Sequence, residues 1–360
     1  LSLRFSINEL HDDTAQGDMT KICYLHLGFH KTATTSIQLT CRNNAKLLKQ
    51  GGIEQPRFLN EKNKISANHT GQIRDIFALN QAGILHSDRH PGLDKNRQND
   101  NTTAGHRHAL ITLLQSDRNI FMSGEGLPLM PQTSLQQLMR TVNDHGFEIE
   151  PFVLVRAPYA YLNSALQQTI KRGRHYPWIG LGGKTNKGQR QADGSIKTLP
   201  NTIKAIRRLN QLFASSIRFY PFHQASIYPG GPVAFVLQRI LHQQNLDQYV
   251  LATANQSLSN RSTRLQNLLN QNDPPLQRSK LEQLIQTLDR DRKPERFLLT
   301  EAEFELIQRK FITIQQDMEA LLGAEFIEED ISFSLEQSNR DINKQLSDLV
   351  QQLAQMITTH

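Results

Sequence analysis

Apolar positions along the chain gather into short runs separated by longer stretches of helical periodicity. The first run, residues 22–27 (Ile-Cys-Tyr-Leu-His-Leu), reads as a strand that meets a turn at Gly28, and a helix pattern begins at Thr34 or Thr35. Gly51 and Gly52 are the stop of that helix. Residues 68–80 read as a helix, 88–103 as a polar, turn-rich loop, 106–116 as a helix, 119–123 as a short strand, and 133–145 as a helix ended by Gly146. A further apolar run starts at Phe152 and is closed by Arg156, with Pro158 placed as the first residue of the next helix. Beyond it the pattern predicts a helix over 201–214, a strand over 216–220, and helices over 232–244, 258–271, 276–290 and 300–322, with Pro274-Pro275 and Lys293-Pro294 as punctuation. Strands that alternate with helices imply parallel pairing through right-handed crossovers. The predicted class is therefore α/β, a central parallel sheet flanked by helices, with a mostly helical C-terminal part.

The last residues carry a different period. Leu335, Ile342, Leu349 and Met356 recur every seven positions, and Leu346 and Leu353 follow Ile342 and Leu349 by four, as in the seam of a coiled coil. Such a stripe either packs on the body of its own chain or pairs with a second copy to make a homodimer. Residues 1–18 lack periodicity and read as a poorly ordered extension before Met19, expected to be the natural start. The expected organisation is then that extension, one large domain over 19–333, and an amphipathic helix over 334–360.

Composition narrows this picture. At 360 residues the chain is long enough to bury the core of one large α/β domain. The two cysteines, Cys23 in the first strand and Cys41 in the next helix, read as buried free thiols of a reducing compartment. No window approaches the roughly 18 apolar residues of a membrane span, and no basic-then-apolar leader precedes the first strand. A cytoplasmic location is the expectation. Charge is unevenly placed: residues 171–197 hold seven basic side chains against Asp193 alone, a net +6 of the formal +7. That glycine-rich stretch, within residues 171–200, is expected to be an acceptor loop, with Arg174, Trp178, Lys184, Lys187 and Arg190 as its contacts; the plain alternative is a solvated surface. It has little aromatic interleaving and matches no nucleic-acid module, so nucleic acid is not expected as a partner.

The junction after the first strand is an anion site by its chemistry. Unpaired N–H groups of the first helical turn and the positive end of the helix dipole face the loop, where Lys31, Thr34, Thr35 and Ser36 add a charge and three hydroxyls. A nucleoside triphosphate loop counted from Gly28 needs Gly-Lys at 33 and 34, and Ala33 and Thr34 stand there instead. The spacing Gly28-x-x-Lys31-Thr32-x-Thr34-Thr35 resembles the 5′-phosphosulfate loop of the sulfotransferases, in the His-Lys-Thr-x-Thr-Thr-Ser-x-Gln form of a bacterial branch. His30 replaces the family's usual Pro and Ala33 its usual Gly. Arg156 and Ser164, eight residues apart across a strand–helix junction, resemble the family's 3′-phosphate site.

The resemblance covers roughly residues 21–333. It implies a P-loop-like sulfotransferase fold, 3′-phosphoadenosine 5′-phosphosulfate as donor, its bisphosphate as product, no metal, and an acceptor hydroxyl or amine on a carbohydrate or glycoconjugate. Gly28, His30, Lys31, Thr32, Ala33, Thr34, Thr35 and Ser36 would hold the 5′ side, Arg156 and Ser164 the 3′-phosphate, and Arg261 in Asn-Arg-Ser-Thr-Arg would add a late basic contact. Lys31 suits the leaving oxygen, where charge builds. For the general base, Glu125 lies at the carboxyl edge of the predicted sheet. His30 carries an imidazole within the loop, and His69 is a third candidate, close to the acceptor. Two other readings stay open: a nucleotide-dependent kinase, and a non-catalytic module for nucleotides or anionic glycans.

Overall fold

The computed structural model describes residues 20–60, 62–77, 100–183, 202–243, 245–254, 257–272, 295–338, 340–344 and 346–347. Strand β1 (Lys21–Leu27) leads into α1 (Thr34–Asn43) and α2 (Ala45–Gln50), then the short β2 (Ile53–Glu54), α3 (Thr70–Phe77) and α4 (Asp100–Leu114). Next come β3 (Asn119–Gly124), α5 (Gln132–Asp144), β4 (Phe147–Val155) and α6 (Pro158–Lys171). The chain continues through α7 (Thr202–Phe213), β5 (Arg218–Pro221), α8 (Phe222–Ile227), α9 (Gly231–Leu241) and α10 (Asn260–Leu269), and then α11 (Glu301–Glu305) and α12 (Gln308–Leu322).

The strands form one parallel sheet in the order β2-β3-β1-β4-β5, with β1 at its centre. Both faces of β1 are covered, which is why its sequence reads as a continuous apolar run. Cys23, Leu25 and Leu27 enter a core with α3, α4, α5 and α7, while Tyr24 turns to the opposite core with Ile37 and Cys41 of α1 and Val236, Leu237 and Ile240 of α9. A third cluster lies off the sheet, where Tyr159, Leu162, Leu166 and Ile170 of α6 meet Trp178, Phe297, Phe304 and Phe311. Both cysteines are buried free thiols, pushed up by burial. Among the described residues no helix is long and apolar enough to cross a membrane.

The boundaries differ from the sequence pattern in places. Strand β4 starts at Phe147, five residues before the apolar run, because Phe147 and Ile149 face inward while Glu148 and Glu150 alternate with them. Helix α4 begins at Asp100, inside the predicted loop of 88–103, since its first turn, Asp-Asn-Thr-Thr, is polar and so looks like loop in composition. The predicted helix 300–322 is two helices parted at Leu306 and Ile307. Helix 276–290, the extension 1–18, the loop contacts Lys184, Lys187 and Arg190, and the heptad residues Leu349, Leu353 and Met356 lie outside the described residues. Of the C-terminal stripe, Ile342 packs on the body of its own chain: a Cβ on Gly182 would collide with it, and the Gln337 N–H donates to the Gly182 carbonyl at 2.9 Å.

Candidate functional site

Three neighbouring strands end at the same edge of the sheet, and each delivers part of the site. β1 gives the loop 28–33, β3 gives Glu125, and β4 gives Arg156. Gly28 is held close to its neighbours: its N–H donates to the Gly124 carbonyl, and a Cβ there would stand 2.5 Å from Thr34 Cγ2 and 3.2 Å from the Glu125 Cα. Only a residue without a side chain brings the loop so near β3. Lys31 and Ala33 both adopt left-handed backbone (φ 68° and 58°), an alternation that curls successive N–H groups toward one concavity. Ala33 is the N-cap of α1 and gives it no side-chain cap, and the first turn holds no acid, so the amide end of a ten-residue helix faces the loop.

Three of the loop's hydroxyls are bonded to the chain's own backbone. Thr32 Oγ1 and Thr34 Oγ1 donate to the Phe29 carbonyl at 2.7 and 3.2 Å, and Ser36 Oγ accepts from the Ala254 N–H at 3.0 Å. These three hydroxyls hold the loop's shape. Lys31 is half-buried, and its ammonium is lowered to about 8 by burial and by the charges of Arg172, Arg156 and Lys171, with Glu125 opposing them. Lys31 and Arg156, 125 positions apart in sequence, therefore feel each other's charge.

His30 Nδ1 and Glu125 Oε1 are hydrogen-bonded at 2.8 Å beside Lys31, with side chains 56% and 35% exposed. The His30 hydrogen bond first, then the charges of His30, Lys31 and Arg172, hold the Glu125 carboxyl below its ordinary range against the opposing effect of burial. Tyr161 on α6 is near enough for Glu125 to help raise its hydroxyl, burial being the larger cause. Arg156 lays its guanidinium over the Phe222 ring at 4.7 Å, and its Nε is buried without a hydrogen-bond partner among the described residues. Burial, and then the nearby Arg296, lower it to about 10, with Glu328 acting the other way, so it remains a cation at neutral pH. Ser164 is half-buried two turns along α6.

Two sequence candidates, His69 and Trp178, are buried in the scaffold. His69 is buried: its Nδ1 accepts from the Ser123 N–H at 3.2 Å and its own N–H donates to the Ser123 carbonyl at 3.0 Å, extending the edge of β3 as a strand would. Burial lowers it to about 4, which leaves it neutral near pH 7. Trp178 is buried in the third cluster, edge-on to Tyr176 at 6.0 Å, because the start of the basic stretch is pinned from beneath. Asn267 accepts from the Tyr176 N–H and donates to the Tyr176 and Ile179 carbonyls, each at 2.8 Å. Arg174 stacks on Tyr176 at 5.0 Å. Arg261 is half-buried on α10. The buried arginine of that motif is Arg264, paired with Glu303 through bonds of 2.6 and 2.9 Å and donating to the carbonyls of Gly180 and Leu298.

Sequence reading missed Arg172, Lys171, Tyr161, Arg296 and Glu328. Arg172 and Lys171 were visible as charges of the basic stretch, but only the fold turns them toward Lys31. It missed too the buried polar cluster under the loop, where His26 stacks on Phe152 at 5.0 Å and bonds Ser123 Oγ at 2.9 Å, to which Gln38 also donates. Among the described residues no group of three or more His, Cys, Asp or Glu is placed to hold a metal ion.

No family model and no curated protein matches the chain. Among solved structures, the crystal structure of a sulfotransferase from Alicyclobacillus acidocaldarius is matched over 74% of this chain and 96% of that one, at 12% identity and a TM-score of 0.35. A likeness that low carries no argument about the site, which rests on its own geometry.

Proposed function

We propose that the chain is a sulfotransferase that moves the sulfuryl group of 3′-phosphoadenosine 5′-phosphosulfate to a hydroxyl or amine of an anionic saccharide or glycoconjugate. The observation that carries this reading is the convergence of Lys31 and Arg156 at one sheet edge, with the His30–Glu125 pair between the loop and β3. Two cationic places with a proton acceptor beside one of them suit a donor with two phosphates and an acceptor that must lose a proton.

The chemistry follows in one step. The acceptor oxygen bonds to sulfur as the bond from sulfur to the 5′-phosphate oxygen breaks, and the acceptor's proton passes to Glu125, whose carboxylate His30 orients. Charge grows on the departing phosphate oxygen, where Lys31 and the N–H groups of α1 are aimed. Lysines and arginines outnumber acids around this edge, with Arg172 and Lys171 close to Lys31 and Arg172 also acting on Glu125. That balance favours an acceptor carrying its own negative charge.

Incubation with sulfur-labelled donor and a panel of anionic and neutral saccharides, followed by mass spectrometry, tests the reading. Labelled product from an anionic saccharide is expected. Absence of product from every acceptor, with tight binding of the bisphosphate, would make the chain a binding module instead.

A further inference from the structure

The amide end of α6 already holds an anion, and it comes from the chain itself. Glu328 Oε1 accepts from the Ala160 N–H at 2.7 Å and Glu328 Oε2 from the Tyr159 N–H at 3.1 Å. Ala157, the N-cap of α6, offers no side-chain cap, so the carboxylate of a residue 168 positions away does that work. Glu328 is half-buried; its segment is tied to α6 through Tyr159 Oη to the Ser332 carbonyl at 3.0 Å, and to α12 through Gln315 Nε2 to the Glu328 carbonyl at 2.6 Å. Around it stand two guanidinium groups, Arg156 and Arg296, both near enough to feel its charge. Yet the carboxylate spends its hydrogen bonds on the amides, and Arg156 Nε is left buried and unpartnered among the described residues.

We infer that Glu328 is a built-in competitor for the anion place beside Arg156, and that a phosphate reaching Arg156 displaces its carboxylate from the α6 amides. The inference rests on the reading of Arg156 as a phosphate-binding residue. Two guanidinium charges and a helix dipole against one carboxylate leave net positive charge, which a phosphate dianion neutralises better than a carboxylate does. A neighbouring carboxylate repels that dianion while it stays in place, so bound phosphate and bonded Glu328 exclude one another. Burial already raises the Glu328 carboxyl above its ordinary range despite its two amide bonds, so its hold as an anion is weaker than those bonds alone would give. Departure of Glu328 would also slacken the segment 327–334, whose other ties include the Ser334 N–H to the Leu299 carbonyl at 2.9 Å and Asn260 to Ser334 Oγ at 2.7 Å.

The test compares wild type with Glu328→Gln, which keeps an acceptor for the amides but no charge, by titration calorimetry with adenosine 3′,5′-bisphosphate and with adenosine 5′-monophosphate. The variant should bind the bisphosphate about tenfold more tightly or better, with the monophosphate changed less than twofold. Unchanged or weaker bisphosphate binding by a variant whose melting curve shows it folded overturns the inference. Should the variant not fold, hydrogen exchange on wild type decides: backbone amides of residues 327–334 should exchange faster at saturating bisphosphate, and slower or equal exchange overturns it. Sulfuryl transfer is not a readout in either arm. A protein that binds the bisphosphate yet never transfers therefore removes the functional reading and leaves this comparison standing. A wild type without preference for the bisphosphate overturns both.

Discussion

Donor binding should draw a proton onto Lys31. In the free protein, burial and the charges of Arg172, Arg156 and Lys171 lower this ammonium to about 8 from an ordinary 10.5, so near pH 8 about half the molecules carry a neutral amine. An anion in the loop supplies the missing counter-charge and returns the group toward its ordinary value, so binding at pH 8 takes up about half a proton. The ligand's phosphates, with second ionisations near 6, are fully charged there and contribute nothing. The sign follows directly. Near pH 7 Lys31 is charged in both states and contributes no pH dependence; as pH rises through 8 the free protein loses its charge first, and affinity falls. A full return to 10.5 would weaken binding about 300-fold across that range, and solvent screening of a half-exposed ammonium reduces this to about tenfold. Calorimetry of adenosine 3′,5′-bisphosphate binding at pH 8, in two buffers of different ionisation heat, measures the uptake. Lys31→Arg, always charged, should bind without uptake. The same uptake in Lys31→Arg, or none in wild type, refutes the assignment.

Three further outcomes are expected. Arg156→Ala should lose about 2 kcal/mol or more of the preference for the bisphosphate over the 5′-monophosphate, read as a Kd ratio about 30-fold smaller; an unchanged ratio removes Arg156 from the site. Glu125→Gln should lower turnover by about 10²- to 10⁴-fold with donor affinity nearly intact, and His30→Ala should lower it less if His30 orients and Glu125 accepts the proton. The opposite ranking in single-turnover assays would exchange their roles. Glu303→Gln leaves Arg264 buried without its charge partner and should cost about 3–5 kcal/mol in urea unfolding, since both side chains are almost wholly buried. A loss under about 1 kcal/mol would mean that the carbonyls of Gly180 and Leu298 suffice for Arg264.

The sheet and the loop were legible in the sequence because local signals carry them. An apolar run stopped by Gly28, the proline that opens α6, and Glu125 just past β3 need no distant partner to be read. Whether a polar residue turns to the ligand or to its own scaffold depends on what approaches from elsewhere in the chain. Thr32 and Thr34 look like ligand hydroxyls until the Phe29 carbonyl is found beneath them. Arg261 and Arg264 are alike in the motif, and only Glu303, 39 positions after Arg264, distinguishes the second. Trp178 sits in a basic stretch that reads as surface, but Asn267 and α6 draw its beginning into the core. Glu328 carries no motif at all, and its partner is an amide end that any carboxylate of suitable reach could cap.

The order β2-β3-β1-β4-β5 has a consequence for how the protein comes into being. The loop, Glu125 and Arg156 hang from β1, β3 and β4, and β1 pairs with each of the other two across roughly a hundred residues of intervening chain. No contiguous fragment that lacks one of these strands carries the three together. Such non-local parallel pairing forms late and slowly. During refolding, helical signal should therefore return well before the ability to bind nucleotide, with an interval in which the chain is largely helical yet chemically blank. Ligand added in that interval has nothing to grip, so it cannot hasten the assembly; it acts on the finished molecule, by slowing its loss.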